Sequence, residues 1–122
     1  MKYTNDEAIV VYTIEQATKD GILYDIRSID TCPQWKKGLF SHVTTNLLGK
    51  GYLREETGEV SLTNLADLLN QSLEIVRRKS NNFTKEDWLF EGKIELPSGE
   101  KQKVYIQLNE LRRYTIMLPK DY

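Results

Sequence analysis

The feature that most constrains the fold is a short helix and a strand separated by a glycine near the N-terminus. Thr13 and Gln16 have the spacing of a capping box, in which each side chain accepts a hydrogen bond from the backbone N–H of the other residue. This pattern predicts that a helix of about two turns begins here. Gly21 can end that helix in the left-handed conformation without steric cost, and residues 22–27 then alternate as a strand does. The helix, the glycine and the strand therefore form one unit.

The last third of the chain predicts three further strands. Residues 88–96 and 101–108 are rich in β-branched and aromatic side chains, and a proline and a glycine lie between them. Runs of this kind at this spacing predict an antiparallel hairpin. A turn at residues 109–113 then leads to a closing strand at residues 114–118. The three strands predict a meander with one face toward helices and the other toward solvent.

Residues 39–48 are predicted to form a second helix. Five apolar side chains have the spacing of an amphipathic helix face: Leu39, Phe40, Val43, Leu47 and Leu48. The glycines that follow, Gly49 and Gly51, would end this helix. His42 would then lie near the edge of the buried face.

A third and longer helix is predicted to begin near residue 62 and to end with residues 77–79 in its last turn. Its apolar residues repeat every three or four positions: Leu62, Leu65, Ala66, Leu69, Leu73 and Val76. Ser61 or Thr63 is available as the N-cap. Arg77, Arg78 and Lys79 would lie in the last turn, where positive charge favours the negative end of the helix dipole.

These elements together predict one α+β domain over residues 1–122. In this domain about three helices pack on an antiparallel β-meander, with one additional N-terminal strand. Residues 8–12, Ala-Ile-Val-Val-Tyr, also suit a short strand or an extended packing segment. With 122 residues and a mass of 14.2 kDa, the chain is long enough to bury a core without disulfides or a structural metal.

Composition narrows the classes of function. The formal net charge is -1 with 29% charged residues, a balance with no general attraction to nucleic acid or membranes. One cysteine, Cys32, and one histidine, His42, exclude an intrachain disulfide and a zinc site with four Cys or His ligands. The chain shows neither an apolar run of membrane-spanning length nor a secretory leader pattern. We therefore expect a cytoplasmic protein that binds no membrane and no cofactor.

Neither Cys32 nor His42 has a catalytic signature around it. A nucleophilic cysteine needs a lowered pKa, and a general-base histidine needs a nucleophile and an orienting partner within reach. Gly49-Lys50-Gly51 lacks both the length and the Lys-Ser/Thr ending of a phosphate-binding loop. We therefore predict no catalytic, cofactor-binding or metal-binding residues. An enzyme centred on Cys32 or His42 is the third alternative, behind two kinds of binding protein.

Residues 42–69 resemble the helix, wing and helix of winged-helix DNA-binding proteins. Residues 54–60 would form the wing between two helices. That wing carries three glutamates beside only Arg54, whereas neutralising phosphate requires lysine or arginine. Because of this charge, nucleic-acid binding through this segment is the alternative function and not the favoured one.

Ten residues are candidates for partner binding. Trp35 is the best candidate for an exposed aromatic anchor, because aromatic residues are enriched in interface cores and two lysines follow it. Basic residues of the third helix and of the last third of the chain would form a second patch. That patch would suit an anionic partner. Alternatively, its residues would only cap the helix and keep a sheet edge in contact with solvent. The candidates are Trp35, Lys36, Lys37, Arg77, Arg78, Lys79, Lys101, Lys103, Arg112 and Arg113.

Three stretches in the same order carry a resemblance to a known family. They are Tyr-Thr-Ile-Glu-Gln-Ala-Thr-Lys-Asp-Gly-Ile-Leu-Tyr-Asp-Ile at 12–26, Asn-Leu-Ala-Asp-Leu-Leu-Asn at 64–70 and Tyr-Thr-Ile-Met-Leu-Pro at 114–119. In these stretches the chain resembles a domain of unknown function found in small proteins of bacteriophages, plasmids and other mobile elements. It departs from that family through its tight turn at 109–113 and matches it poorly over 28–60. The resemblance implies a mobile-element context and names no activity.

From these observations we expect an accessory protein that acts by binding another macromolecule. A protein partner is the favoured hypothesis, in the form of a host or defence protein that is inhibited when its surface is covered. A nucleic-acid-binding accessory protein or regulator is the alternative.

Overall fold

Eight helices and strands and a closing 3₁₀-helix make up the described part of the chain, which a computed structural model gives as residues 13–27, 39–79 and 88–122. They are α1 (Ile14–Lys19), β1 (Leu23–Asp25), β2 (Phe40–Thr44), α2 (Thr45–Leu48), α3 (Leu62–Lys79), β3 (Leu89–Glu95), β4 (Lys101–Leu108), β5 (Tyr114–Met117) and the 3₁₀-helix Pro119–Asp121. The strand predicted at 8–12 and the candidates Cys32, Trp35, Lys36 and Lys37 lie outside the described residues.

The described strands form a five-stranded mixed sheet in the order β1-β2-β5-β4-β3. β1 pairs with β2, β5 with β4 and β4 with β3 in antiparallel fashion, whereas β2 and β5 are parallel. The structure confirms the α+β class and the meander of β3, β4 and β5. The prediction of a purely antiparallel sheet is wrong in one respect, because β5 also pairs with β2 and that pairing is parallel. This parallel pairing joins β1 and β2 to the three C-terminal strands in one sheet.

The N-terminal unit has the predicted capping box. The Thr13 hydroxyl accepts a hydrogen bond of 3.1 Å from the Gln16 N–H, and the Gln16 side chain accepts one of 3.2 Å from the Thr13 N–H. Gly21 has a φ of 79°, the left-handed conformation that the sequence predicts after the helix. The strand that follows, β1, is shorter than the predicted segment 22–27.

The helix predicted at 39–48 is wrong over its first half. Phe40–Thr44 is strand β2, and only Thr45–Leu48 is helical. All residues of β2 are buried, and the strand lies between β1 and β5. Because a strand that is buried on both faces has no alternation of polar and apolar residues, its apolar positions also fit a helical spacing. Thr44 ends the strand and caps α2, since its hydroxyl accepts a hydrogen bond of 3.4 Å from the Leu47 N–H.

α3 has one of the two predicted caps and part of the predicted buried face, since Leu65, Leu69 and Val76 are buried but Leu62 is exposed. The Ser61 hydroxyl accepts a hydrogen bond of 3.4 Å from the Asn64 N–H at the start of the helix. The helix packs on β3, where a Cβ atom added to Gly92 would lie 2.7 Å from Ile75 Cδ1. Glycine therefore allows a closer approach of helix and strand than any other residue would. The buried apolar residues of the helix are Leu65, Leu68, Leu69, Ile75 and Val76.

The hairpin of β3 and β4 has the predicted turn and alternation. Phe90 lies opposite Ile106 in the register, and Gly99 in the connecting turn has a φ of 96°. Val104 and Ile106 of β4 are fully buried, whereas Tyr105 between them is half-buried and Lys103 before them is exposed. The buried face of the hairpin contributes to a hydrophobic core that also includes residues of β2, α2 and α3.

Candidate functional site

The structure brings together part of the predicted basic patch. Arg78 and Lys79 at the end of α3 and Lys103 of β4 line one groove of about 450 Å³. Lys93 and Glu91 of β3 line it as well, so four basic side chains face one carboxylate. We call this surface the basic groove. Arg77 is exposed in the last turn of α3 but does not line the groove.

Lys93 is a member of the basic groove that the sequence analysis missed. It lies directly opposite Lys103 across the β3–β4 pair, which places two positive charges side by side. Lys103 also forms an ion pair of 2.6 Å with Glu91. The hydrogen bond between them raises the pKa of Lys103 and lowers that of Glu91. The signal that could have found Lys93 is the register of the hairpin, which its turn sets.

The other predicted basic residues are dispersed along the sheet. Lys101 lies opposite Glu95 at the start of β4, while Arg112 and Arg113 follow the end of that strand. At about 3.3 Å per residue, the two ends of β4 are about 23 Å apart. Arg112 has a φ of 63°, a left-handed conformation within the tight turn. Lys101 lies two residues before Lys103 on the same face of β4 but does not line the basic groove, whereas Arg112 and Arg113 lie beyond the other end of the strand.

His42 lies in β2 with 1% of its surface exposed. Its Nδ1 atom is 2.8 Å from the Ser41 hydroxyl oxygen, which also accepts a hydrogen bond of 2.8 Å from Asn109 Nδ2. Burial lowers the pKa of His42, and the nearby Asp25 carboxylate offsets part of this effect. The imidazole is therefore neutral at neutral pH. It belongs to a buried hydrogen-bond network and not to an open catalytic site.

Asp25 and Arg27 form an ion pair of 2.7 Å at the end of β1, the edge strand that pairs with β2. The hydrogen bond from Arg27 lowers the pKa of Asp25 to about 2. A carboxyl group with so low a pKa stays ionised near neutral pH and holds no proton to donate. Asp25 therefore does not act as a general acid beside His42 near neutral pH.

Residues 54–60 form the predicted ribbon without the full arrangement of a winged helix. Leu53 and Val60 pair as an antiparallel bridge, and the Arg54 N–H donates a hydrogen bond of 2.7 Å to the Glu59 carbonyl. The helix before the ribbon is α2, which has 4 residues. Proteins that read the major groove with a helix need a longer element than this. The first helix of the arrangement predicted for 42–69 is therefore missing.

An apolar groove of about 620 Å³ lies between β1, α2, the ribbon and the start of α3. Its lining includes Tyr24, Leu53 and Leu62, which are 37%, 40% and 57% exposed. Leu48 and Val60 complete the apolar part of the lining. We call this surface the apolar groove. Grouped and exposed side chains of this kind mark surfaces that bind other molecules, whereas single exposed apolar residues are normal.

The apolar groove could not be recognised from the sequence, because its residues fit other roles there. Leu62 fits the apolar face predicted for the third helix, and Tyr24 fits the predicted strand at 22–27. Periodicity shows which side of an element is apolar, but it does not show whether another element covers that side. The weak signal available in the sequence was Leu62, an apolar residue at the very start of α3.

The described ranges contain neither a metal-binding cluster nor a membrane-spanning helix, and comparison with known proteins shows no family. Within 13–27, 39–79 and 88–122, no group of three or more His, Cys, Asp or Glu side chains is placed to hold a metal ion. None of the helices in these ranges is both long enough and apolar enough to cross a membrane. Comparisons of the chain with protein-family models, with curated proteins and with solved structures found no match. The apolar groove and the basic groove are therefore the features that bear on function.

Proposed function

We propose that this protein is an accessory protein of a phage or another mobile element, and that it acts by binding a partner protein through the apolar groove. The mobile-element context rests on the sequence resemblance described above. The binding function rests on one observation, which is that Tyr24, Leu53 and Leu62 converge on one groove and remain exposed. Covering such side chains in a complex contributes about 25 cal/mol for each Å² of apolar surface removed from water.

The grouping of these side chains, more than their exposure, supports the proposal. Other large apolar residues are also exposed but do not line the apolar groove: Ile22, Trp88, Leu111 and Tyr122. A few clustered side chains, among which tyrosine is common, supply most of the affinity in typical interfaces. The apolar groove is therefore a better docking surface for a protein than the scattered exposed apolar residues are.

The most concrete form of this function is inhibition of a host or defence protein by occlusion. Occlusion requires affinity and a fixed orientation but no chemical step, and both follow from complementary surfaces. His42 is buried, and Asp25 is held ionised by Arg27, so the described polar residues support binding better than catalysis.

Leu62→Asp tests this proposal. Leu62 is the first residue of α3 and is 57% exposed, so an aspartate there puts a charge in the apolar groove and also suits the N-terminal end of the helix. Leu111→Asp is the matched control, because Leu111 is 37% exposed in the turn before β5. Tagged full-length versions of each protein would be used to recover partners from a host lysate, with quantification by mass spectrometry.

A recovered partner would then be purified, and its Kd would be measured by calorimetry. We expect the wild type and Leu111→Asp to bind it equally, and Leu62→Asp to bind at least about tenfold more weakly. A partner that binds all three versions equally, or the absence of any specific partner, would contradict the proposal.

Nucleic-acid binding is a second candidate function, favoured by the cluster of Arg78, Lys79, Lys93 and Lys103 in the basic groove. Gel shifts with duplex DNA at low salt test it, because phosphate contacts are strongest there. Lys93→Glu should abolish a shift that Lys50→Glu, a control at an exposed residue outside this groove, leaves intact. If the wild type gives no shift at low salt, this candidate is removed.

A further inference from the structure

We infer that the segment of partner protein that occupies the apolar groove carries large apolar side chains flanked by lysine or arginine. The inference rests on the proposed function and adds the chemistry of the partner to it. Its basis is the charge of the ribbon that forms one wall of the groove.

The ribbon that forms one wall of the apolar groove carries three carboxylates. Glu59 lines the groove itself, and Glu55 and Glu56 are exposed in the turn of the ribbon. Arg54 is the only basic residue between residues 54 and 60. Within the described ranges, the side-chain ion pairs join other residues, Asp25 to Arg27 and Glu91 to Lys103. The wall therefore presents net negative charge that a partner can neutralise.

The basic groove is too far away to neutralise this charge. Leu62 and Lys79 are the first and last residues of α3, so at 1.5 Å per residue about 26 Å separates them. Charges in solution are screened over about 8 Å at physiological salt. A partner that approaches the apolar groove therefore meets the field of the ribbon and not that of the basic groove.

Backbone hydrogen bonds hold the ribbon in one conformation. The Arg54 N–H donates to the Glu59 carbonyl, and the Gly58 N–H donates to the Arg54 carbonyl, each at 2.7 Å. The Ser61 N–H donates to the carbonyl of the buried Tyr52 at 2.8 Å, which ties the end of the ribbon to the core. A wall that is already ordered loses little conformational entropy on binding. Apolar lining and negative rim together match a basic amphipathic segment.

The test uses three synthetic peptides and the full-length protein. The first peptide has leucine and lysine at the spacing of an amphipathic helix, the second has glutamate in place of lysine, and the third has serine in place of leucine. Binding of each labelled peptide would be measured by fluorescence anisotropy. We expect the leucine–lysine peptide to bind at least about tenfold more tightly than the other two.

Variants of the protein separate specific contact from bulk charge. Glu55→Lys with Glu56→Lys should weaken binding of the leucine–lysine peptide about tenfold and strengthen binding of the leucine–glutamate peptide. Glu74→Lys with Glu100→Lys makes the same change in net charge at exposed residues outside the groove and should have little effect. Leu62→Asp should abolish binding.

The outcomes distinguish failure of this inference from failure of the proposed function. If Leu62→Asp abolishes binding of the lysine and glutamate peptides alike, and the wild type binds both equally, the charge inference is wrong while the groove remains a docking site. If both double reversals weaken binding equally, if Leu62→Asp has no effect, or if the leucine–lysine peptide does not bind, the inference is also overturned. The lysate experiment with Leu62→Asp judges the proposed function independently.

Discussion

The side chain of Asn109, in the turn before β5, donates a hydrogen bond of 2.8 Å to the hydroxyl of Ser41 in β2, which is 68 residues away in the sequence. The same amide group donates to Thr115 Oγ1 at 3.0 Å. The Asn109 Oδ1 atom accepts hydrogen bonds from the N–H groups of Leu111 at 2.9 Å and Arg113 at 3.3 Å. One side chain therefore shapes the turn and links β5 to β2.

We expect Asn109→Ala to lower the free energy of unfolding by about 2 to 3 kcal/mol, because it removes several hydrogen bonds and leaves the buried Ser41 hydroxyl with fewer partners. Asn109→Asp is the matched variant, since it keeps acceptors for the turn but removes the donor to Ser41. Its effect should be intermediate. Urea unfolding followed by circular dichroism measures both. A loss below about 0.5 kcal/mol for Asn109→Ala would show that the network does not stabilise the fold.

Gly92→Ala should destabilise the protein by about 1 to 3 kcal/mol, because the added Cβ atom would overpack the contact of α3 with β3. That atom would lie 2.7 Å from Ile75 Cδ1 and 2.9 Å from Ile75 Cγ1 and Cγ2. Gly49→Ala is the control, since a Cβ atom there meets its nearest neighbour at 3.5 Å. Thermal and urea unfolding would measure each change.

A double mutant tests the cause of that destabilisation. Ile75→Ala removes the side-chain atoms that Gly92→Ala would crowd, so the two substitutions together should cost less than the sum of their separate effects. Additive costs would show that Gly92 is needed for another reason, such as the conformation of β3.

His42 should make the stability of the protein depend on pH below about 6.5. Burial lowers the pKa of His42 in the folded state from its usual 6.5, while the unfolded chain keeps the usual value. As the pH falls, the unfolded state therefore takes up a proton first, and stability that is present above 6.5 is lost, by at most about 1.4 kcal/mol per pH unit, until the pH passes the folded pKa. Urea unfolding at a series of pH values measures this slope.

His42→Gln should remove the slope in that window while retaining a polar side chain. Asp25→Asn should keep the slope and extend it to lower pH, because it removes the carboxylate that partly offsets the lowering of the pKa of His42, while the contribution of Asp25 itself is lost only between its usual pKa of 3.8 and about 2. The Asp25 side chain is 35% exposed, so its effect is expected to be small. An unchanged slope between pH 7 and pH 5 in His42→Gln would rule out His42 as the titrating group.

Tyr52→Phe should leave stability unchanged or raise it by about 1 kcal/mol. Tyr52 is fully buried, and its hydroxyl group has no hydrogen-bond partner among the described residues. Burial raises the pKa of this hydroxyl to about 12, which reflects the cost of desolvating it. Tyr122→Phe, at a residue that is 57% exposed, is the control and should have no effect. Calorimetric Tm values compare the variants, and a clear decrease for Tyr52→Phe would indicate a hidden partner such as a buried water.

Local elements were predictable because the interactions that define them lie close together in the chain. The capping box of Thr13 and Gln16, the left-handed Gly21 and the stripe of α3 each depend on residues within a few positions. The hairpin of β3 and β4 follows for the same reason, since a short turn sets its register. The prediction for residues 39–48 was wrong over its first half because β2 is buried on both faces, and burial of that kind removes the alternation by which a strand is recognised.

The candidate sites were predictable only in part. Arg78, Lys79 and Lys103 were named from the sequence, but Lys93 joins them through cross-strand pairing, and Arg112 lies elsewhere. The apolar groove was not predicted, since its members belong to segments that come together only when the sheet and α3 pack.

The amino-acid sequence thus determined the caps, the turns, the apolar face of α3 and the α+β class, because short-range sterics and hydrogen bonding control these features. Tertiary structure alone decided that β2 and β5 are parallel neighbours and that Tyr24, Leu53 and Leu62 share an uncovered surface. Which apolar side chains become buried depends on what packs against them, and that is settled by contacts between residues far apart in the chain.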